Sequence, residues 1–379
     1  LHSFPTRRSS DLQLGDIFKA IERNAPRYLA EKWDNVGLQV GSYSHPVCRV
    51  LLTLDVTPDV VEEAIEKDID LIVSHHPFLF NGVKSICVDD GKGQLIDALI
   101  AHKISVYSAH TNLDAAEYGL NYFIAKALGL EEMRPLSNSP KDRLYKLVVF
   151  VPESHTEAIL QVMGDNGAGY VGKYSHCSFR AVGKGTFKPL SESKPFIGSE
   201  NQVETVAEDR IETVIDNEMA KSLIQKIKAV HPYETMAYDL YPMDESLTKE
   251  ANGPGKIGDL STALLPQDFL EKLKSALGLK LVRTAGKPPQ VIKRIALCTG
   301  AGAEFMGLAK VRNADVYVTG DLKYHEAQSA HENHLWVVDA GHYGTEHQVV
   351  LLLKEMIAAN CPGVETIISE KMCDFLEIH

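Results

Sequence analysis

Two stretches of this chain repeat the pattern strand, helix, strand with the same spacing, and this repeat limits the folds that the chain can form. The first stretch opens with an apolar segment at Arg49 and reaches the end of a second one at Ser74. The other opens at Arg294 and reaches Thr319, so that 25 positions separate the two ends in each case. Apolar residues at helical spacing lie between the segments. We therefore predict a duplicated, two-lobed α/β core whose two βαβ units face each other across a shared site.

Histidine and carboxylate side chains come directly after apolar strands in both halves. Residues 69–73 lead into two adjacent histidines, while 104–109 and 335–341 each lead into a histidine with a carboxylate four positions later. The side chains concerned are His75, His76, His110, Asp114, His342 and Glu346. Open α/β sheets bind ligands at the carboxyl ends of their strands, and imidazole and carboxylate groups bind borderline divalent metals. The sequence therefore predicts a metal site where these strand ends meet.

Each of these side chains also has an ordinary structural explanation. Adjacent histidines often lie in a polar loop, and a histidine and a carboxylate four residues apart often share the solvent face of a helix. Their position directly after buried strands, with Pro77 stiffening the turn after His76, favours a site. His325 follows the second copy of the repeat, and we expect it either to line the same cleft or to lie on the surface. The glycine-rich segment 299–303 is a turn between strand and helix, or it presents backbone N–H groups to an anion.

The composition argues against several classes of protein. The 379 residues include 39 basic and 51 acidic side chains, and the net charge of −12 disfavours a broad surface for nucleic acid or acidic membranes. The six cysteines are scattered without a Cys-x-x-Cys pair, which favours reduced thiols and a cytoplasmic protein. No apolar run approaches the roughly 20 residues of a membrane span. Residues 1–12 are rich in serine and arginine, and we expect them to be an extraneous leader.

The middle of the chain differs in pattern from its two ends. A linker that contains serine and proline closes the first part near residue 138. Between residues 141 and 248 the predicted elements follow the order β-α-β-β-α-β, which is that of a ferredoxin-like α+β domain. An Asn-Gly-Pro-Gly turn at 252–255 then leads back to apolar strands. We therefore predict a discontinuous α/β core, residues 13–138 and 250–379, with an inserted ferredoxin-like domain at 141–248.

Five motifs, in the same order, resemble those of the Nif-three-like family, whose members are often named GTP cyclohydrolase 1 type 2 homologues. They lie at residues 33–38, 74–77, 108–114, 319–321 and 341–346. The chain is similar to the longer bacterial form, in which a module like the PII and CutA proteins is inserted. This resemblance implies two α/β lobes with a dinuclear metal centre between them, and a toroidal homohexamer. By motif it implies the metal ligands His75, His76, Asp114, His342 and Glu346.

The resemblance also implies a GTP cyclohydrolase activity, in which a metal-activated water attacks C8 of guanine and formate is released. We expect two divalent ions per chain, with Zn²⁺, Mn²⁺ or Fe²⁺ favoured over Mg²⁺ by the mixed nitrogen and oxygen ligands. Glu346 is expected to bridge the ions, while His110 and His325 are expected to orient a ligand or transfer a proton. Two other functions stay open: a dinuclear-metal phosphoesterase acting on nucleotides, and a non-catalytic metal-binding hexamer with a regulatory or scaffold role.

Overall fold

Short apolar strands alternate with amphipathic helices along most of the chain, which confirms the predicted mixed α/β class. The computed structural model describes residues 12–138, 144–171, 173–243 and 252–377. The predicted leader at 1–12, apart from Leu12, lies outside the described residues. The chain divides into two units, which we call unit 1 (residues 1–139 and 250–379) and unit 2 (residues 140–249).

Strands and helices are numbered here in chain order. The strands are β1 (Gly37–Val40), β2 (Arg49–Thr53), β3 (Leu71–Ser74), β4 (Ser105–Ser108), β5 (Leu130–Pro135), β6 (Leu144–Pro152), β7 (Ser178–Phe187), β8 (Glu204–Asp216), β9 (Tyr238–Pro242), β10 (Lys256–Leu264), β11 (Arg283–Ala285), β12 (Ile292–Leu297), β13 (Val316–Thr319), β14 (Trp336–Asp339) and β15 (Glu365–Ile368). The helices are α1 (Leu14–Glu22), α2 (Pro58–Glu66), α3 (Gly91–Ala101), α4 (Thr111–Ala115), α5 (Leu120–Ala127), α6 (Thr156–Asp165), α7 (Asn217–Val230), α8 (Pro266–Leu277), α9 (Met306–Val311), α10 (Tyr324–Glu332), α11 (His342–Glu346) and α12 (Val349–Asn360). Across the described residues, none of them combines the length and apolar composition that a bilayer-spanning helix needs.

Helix α2 shows how the local sequence places these elements. The Thr57 side chain accepts a hydrogen bond from the N–H of Val60, and Pro58 occupies the first helical position, where its missing N–H costs nothing. Val60, Val61 and Ala64 then form a buried stripe at helical spacing. The stripe packs in the same apolar cluster as β2 and β3, so the helix lies against the sheet that it connects.

The first sheet of unit 1 has the strand order β1-β4-β3-β2-β15. Strands β15, β2, β3 and β4 are parallel, and β1 pairs with β4 in the antiparallel direction. The register places Thr53, Ser74 and Ser108 side by side at the carboxyl ends of β2, β3 and β4. The residues that follow these strands therefore gather at one edge of the sheet.

The second sheet of unit 1 has the order β11-β14-β13-β12-β10-β5. Strands β12, β13 and β14 are parallel, and β5, β10 and β11 pair with their neighbours in the antiparallel direction. Thr319 and Asp339 are paired at the carboxyl ends of β13 and β14. Both sheets thus contain three consecutive parallel strands connected through helices, with an antiparallel strand beside the third.

One apolar core serves both sheets of unit 1. Leu52 and Val73 of the first sheet belong to the same cluster of buried side chains as Leu297 and Val318 of the second. Full burial of an aliphatic side chain stabilises a fold by about 1.5–3 kcal/mol. Because the two sheets share this core, the carboxyl ends of their strands are held at fixed positions relative to each other.

Unit 2 contains β6, α6, β7, β8, α7 and β9 in that order, and its strands form a sheet of order β7-β8-β6-β9. All neighbouring strands are antiparallel. This is the ferredoxin-like arrangement. Leu147, Val149 and Ile211 of the sheet pack with Ile159 of α6 and Leu223 of α7, so unit 2 has an apolar core of its own.

Candidate metal centre

Unit 1 brings six of the side chains singled out in the sequence together beyond the ends of β3, β4 and β14. We call this group the strand-end cluster, and it consists of His75, His76, His110, Asp114, His342 and Glu346. The first four come from the first half of the chain and the last two come from the second. The predicted repeat therefore contributes ligand-type side chains from both of its copies.

Backbone hydrogen bonds hold the two histidines that follow β3. The N–H groups of His75 and His76 donate to the carbonyls of Thr53 (3.2 Å) and Leu54 (3.0 Å). The Ser74 hydroxyl donates to the carbonyl of His76 at 2.8 Å. The two imidazole rings lie with their centroids 5.3 Å apart at the edge of the sheet.

Every histidine of the strand-end cluster has a hydrogen-bond acceptor at Nδ1. The acceptor is a carboxylate in three cases and a backbone carbonyl in one. The bonds are His75 Nδ1 to Ala109 O (2.7 Å), His76 Nδ1 to Asp55 Oδ1 (2.8 Å), His110 Nδ1 to Asp34 Oδ1 (2.9 Å) and His342 Nδ1 to Asp321 Oδ2 (2.8 Å). An acceptor at Nδ1 keeps the proton on that nitrogen, so that Nε2 carries the lone pair of the neutral ring. The four imidazoles are thus oriented to bind a metal through Nε2.

Glu346 lies among three of these imidazoles. Its Oε2 is 2.9 Å from Nε2 of His76 and 3.0 Å from Nε2 of His342, and its Oε1 is 3.9 Å from Nε2 of His75. The side chain is buried, and Gly300 lies against it without a Cβ that would occupy the same space. The two carboxylate oxygens therefore face different parts of the strand-end cluster.

The position of His75 shows that a cation fits this cluster. Its ring is fully buried, and burial lowers its pKa to about 3, so the ring is neutral with its proton on Nδ1. Its Nε2 is buried and has no hydrogen-bond partner among the described residues. Two carboxylate oxygens lie beside this lone pair, Asp114 Oδ1 at 3.6 Å and Glu346 Oε1 at 3.9 Å. The lone pair of His75 and two carboxylate oxygens therefore converge on one point, as the ligands of a metal would.

Protons are distributed unevenly over the strand-end cluster. Burial opposes a charge on His76, but hydrogen bonds with Asp55 and Glu346 outweigh it and raise its pKa to about 10. The hydrogen bond with Glu346 raises the pKa of His342 to about 9. Burial, together with repulsion from Glu346, raises the pKa of Asp114 to about 7. Burial opposes the charge of Glu346 as well, but hydrogen bonds from His342 and His76 hold its pKa far below the usual range. Glu346 is thus an anion between two imidazolium groups, whose positive charge a divalent ion can replace.

The ligand atoms fall into two overlapping groups, and the atoms of each group lie within 4.8 Å of one another. One group is His75, His76 and His110, and the other is His76, His342 and Glu346. His110 was expected to orient a ligand or transfer a proton, whereas the structure places it beside candidate ligands.

The contacts of His325 in the described structure are with residues outside the strand-end cluster. It is on α10 with an exposed side chain, and it contacts Gln328 (3.4 Å) and the ring of Tyr324. No described hydrogen bond, ion pair or ring contact joins it to the strand-end cluster. The structure therefore gives its expected role in proton transfer no support from contacts, and that role stays a prediction.

The carboxylates that orient the histidines were missed in the sequence, although a positional signal exists. Asp55 and Asp321 are each the second residue after a parallel strand, β2 and β13, just as His76 and His110 are after β3 and β4. Asp34 lies in one of the five motifs and also binds Thr111 at the start of α4. The same register that gathers the ligands therefore gathers the groups that orient them.

The glycine-rich segment 299–303 uses its N–H groups within the fold. The N–H of Gly300 donates to the Thr345 hydroxyl, and that of Gly302 donates to the Thr319 hydroxyl, both at 3.0 Å. These contacts fit the turn between strand and helix better than an anion site.

Comparison with known proteins gives one consistent family. A model of the Duf34/NIF3 family (NGG1p interacting factor 3) matches residues 12–374. The chain is 42% identical over 327 residues to the GTP cyclohydrolase 1 type 2 homolog of Bacillus subtilis (strain 168), a match that covers 86% of this chain and 87% of that protein. It is 38% identical over 346 residues to the protein of the same name from Halalkalibacterium halodurans, covering 89% of this chain and 92% of that one.

Two solved structures are similar over almost the whole length. A Bacillus cereus protein related to NIF3 is 38% identical, with a TM-score of 0.74, and the match covers 98% of this chain and 100% of that chain. Staphylococcus aureus protein SA1388 is 32% identical, with a TM-score of 0.76, and the match covers 97% of this chain and 99% of that chain. The similarity therefore extends through nearly all of both units.

Proposed function

This chain belongs to the Duf34/NIF3 family, and we propose that it is a metal-dependent hydrolase of the GTP cyclohydrolase type. The observation that carries the proposal is the lone pair of His75 Nε2, which is buried, without a hydrogen-bond partner in the described structure, and faced by two carboxylate oxygens. Most buried polar groups of a structural core are paired. The names of its relatives favour a guanine nucleotide as the substrate.

We propose two ions per chain, held by His75, His76, Asp114, His342 and Glu346, which leaves Nε2 of His110 free for proton transfer. Glu346 turns Oε1 towards His75 and Oε2 towards His76 and His342, which suits a carboxylate shared between two ions. A set of ligands this rich in imidazole favours Zn²⁺, Mn²⁺ or Fe²⁺ over Mg²⁺. Divalent ions bound here would lower the pKa of a coordinated water to near neutrality and polarise the group that it attacks.

The reaction on GTP is the hydrolysis of both C–N bonds at C8 of guanine, which consumes two waters and releases C8 as formate. The pair Asp34–His110 suits the proton transfers that these steps need. Asp34 accepts from His110 Nδ1 at 2.9 Å, so His110 Nε2 can take a proton from the attacking water and later give it to a departing nitrogen. Asp34 stabilises the imidazolium formed in between, and it is held in place by Thr111 and by the N–H of Asn35.

The test is an assay of formate release from GTP by protein loaded with Zn²⁺, Mn²⁺ or Fe²⁺, with metal content measured on the same samples. The variants are Glu346→Gln and His110→Gln, and the matched control is Glu62→Gln, which changes an exposed carboxylate on α2. We expect His110→Gln to lower kcat by about 10²–10⁴-fold, the usual contribution of a general acid–base group. We expect Glu346→Gln to lose metal and turnover together, while Glu62→Gln keeps both. Metal-loaded wild-type protein that releases no formate would refute this substrate.

The same site would suit a phosphoesterase acting on nucleotides, because paired ions also activate water for attack at phosphorus. Release of inorganic phosphate instead of formate in the assay above would select that reaction. A metal-loaded protein inert towards both classes would select the regulatory or scaffold role.

We further propose that unit 2 is a module of the PII and CutA type, because its strand order is that of a ferredoxin-like domain. With the family resemblance, this leads us to propose a homohexamer, and light scattering of the purified protein should give the mass of six chains. A dimer or monomer at micromolar concentration would refute it. We place the protein in the cytoplasm because the spacing of its cysteines resembles no disulfide framework.

A further inference from the structure

Two large aromatic side chains lie exposed beside the strand-end cluster. Trp33 is 60% exposed and Phe80 is 49% exposed. Their ring centroids are 5.8 Å apart at an interplanar angle of 52°, and the Trp33 ring is 6.1 Å from the ring of His110. Exposed aromatic surface next to a polar cluster marks a place where a ring-shaped ligand gains by stacking.

The loops that carry these two rings are tied to each other. The Asn35 side chain donates to the carbonyl of Leu79 (2.5 Å), and the N–H of Leu79 donates to Gln39 Oε1 (2.6 Å). Gln39 in turn donates to the carbonyl of Asn35 (2.5 Å). Phe80 directly follows Leu79 of this network. Trp33 directly precedes Asp34, which binds His110. The backbone that carries both rings is therefore tied to the loop of Asp34, the hydrogen-bond partner of His110, before any ligand arrives.

We propose that Trp33, supported by Phe80, is a stacking platform for the planar base of the substrate, a purine or a heteroaromatic ring of similar size. This rests on the proposed function only in taking the strand-end cluster as the reacting centre. At 5.8 Å the two rings contact each other, which leaves no space for a third ring between them. The base therefore stacks on the open face of Trp33, and Phe80 keeps that indole from turning away. A platform of this kind selects for a flat ring without reading its edge, which explains why no guanine motif stands out in the sequence.

Tryptophan fluorescence of the intact protein can follow this binding directly. The chain has two tryptophans, and Trp336 is only 4% exposed in the core, so collisional quenching by iodide reports on Trp33. Iodide should quench part of the emission of the wild-type protein. In Trp33→Phe only the buried Trp336 remains, and iodide should quench none of its emission. Emission that iodide does not reach in the wild type would overturn the proposal, because Trp33 would then be covered, for instance by a second copy of this chain.

Ligand titrations should separate the base from the phosphates. GTP and guanosine are expected to quench Trp33, and inorganic tripolyphosphate is not. Equilibrium dialysis should use metal-loaded protein that carries His110→Gln, because slow turnover preserves the GTP during the measurement. In this background Trp33→Ala should raise the Kd for GTP by about 5-fold to 150-fold, the usual effect of removing a base-stacking aromatic. Trp33→Phe should raise it less. The control Phe179→Ala removes another exposed aromatic ring, from β7 of unit 2, and should leave the Kd unchanged.

The outcomes distinguish this proposal from the proposed function. Formate release from GTP with an unchanged Kd in Trp33→Ala would overturn the platform and leave the activity standing. Weaker GTP binding in Trp33→Ala without formate release in the wild type would support the platform and reject the reaction. If neither guanosine nor GTP quenches the emission of Trp33, the platform is overturned.

Discussion

Replacing Gly300 by alanine would disturb the strand-end cluster without touching a candidate ligand. Gly300 has a φ of +62°, a left-handed conformation that alanine adopts at a cost of about 1–2 kcal/mol. A Cβ built at this position lies 2.3 Å from Oε1 of Glu346, where contact distances of about 3.5 Å are normal. The carboxylate therefore has to withdraw by about 1 Å from its place between the imidazoles.

Two other glycines allow these effects to be separated. Gly278, after α8, has a φ of +66°, and no described atom lies within 4 Å of an added Cβ, so alanine there introduces strain alone. Gly307, within α9, also has no described atom within 4 Å of the added Cβ and has no positive φ, so alanine there should stabilise the helix by about 0.5–1 kcal/mol. Gly300→Ala thus introduces backbone strain and displaces a carboxylate. Gly278→Ala introduces backbone strain alone, and Gly307→Ala introduces neither.

The assay has two readouts. Urea unfolding of chelator-treated protein should show that Gly278→Ala loses about 1–2 kcal/mol of unfolding free energy and that Gly300→Ala loses more, because it also displaces Glu346. Competition with a chromophoric chelator for Zn²⁺ should show metal affinity lowered by about 10-fold to 100-fold in Gly300→Ala only, as when groups that orient ligands are removed. If Gly300→Ala binds Zn²⁺ as tightly as Gly278→Ala, the carboxylate of Glu346 does not hold the metal as argued above.

Three further expectations follow from the charges. All hydrogen bonds of the Asp34 carboxylate come from N–H and O–H donors, so Asp34→Asn turns an NH₂ group towards one of these donors. The variant should lose about 1–3 kcal/mol of unfolding free energy in urea. A stability equal to that of the wild type would contradict this. Because His76 and His342 have pKa values of about 10 and 9, Zn²⁺ binding at pH 7 should release protons, measurable by calorimetry in two buffers of different ionisation enthalpy; a heat independent of the buffer would contradict it. Burial opposes the charge of Glu63, but hydrogen bonds from Lys67 and others lower the pKa of this carboxyl below 4.5. The charged carboxylate therefore stabilises the fold above pH 4.5, and this contribution is lost as the pH falls through the pKa of the folded state. Glu63→Gln should therefore be less stable than wild type at pH 7 and approach it at low pH, and a constant difference would argue against the pairing.

The gathering of candidate ligands could be foreseen because it depends on a simple regularity. Parallel strands in register end together, so residues such as His76 and His110, each two positions beyond a strand, meet whatever the helices between them do. The same regularity would have found Asp55 and Asp321, had it been applied to carboxylates as well as to histidines.

Other parts of the site depend on contacts that sequence patterns do not encode. The acceptor that orients His75 is the backbone carbonyl of Ala109, and every residue has such a group. The need for glycine at position 300 arises from Glu346, which follows β14, whereas Gly300 follows β12. The two strands lie on either side of β13 in one sheet, and only the fold of that sheet brings the two residues together. Trp33 lies in one of the five motifs, but its pairing with Phe80 could not be predicted from the sequence, because the network through Asn35 and Leu79 that joins their loops is tertiary.

Metal content is the most direct measure of whether the strand-end cluster binds ions. The protein should be purified, reconstituted with Zn²⁺, Mn²⁺ or Fe²⁺, dialysed and measured by mass spectrometry, alongside His76→Ala and the control Glu62→Gln. We predict about two ions per chain in the wild type and in Glu62→Gln, as a carboxylate-bridged pair requires, and fewer in His76→Ala, because His76 belongs to both groups of ligand atoms. Wild-type protein that retains no metal after reconstitution would show that the strand-end cluster is not a metal site, and the buried lone pair of His75 would then need another explanation.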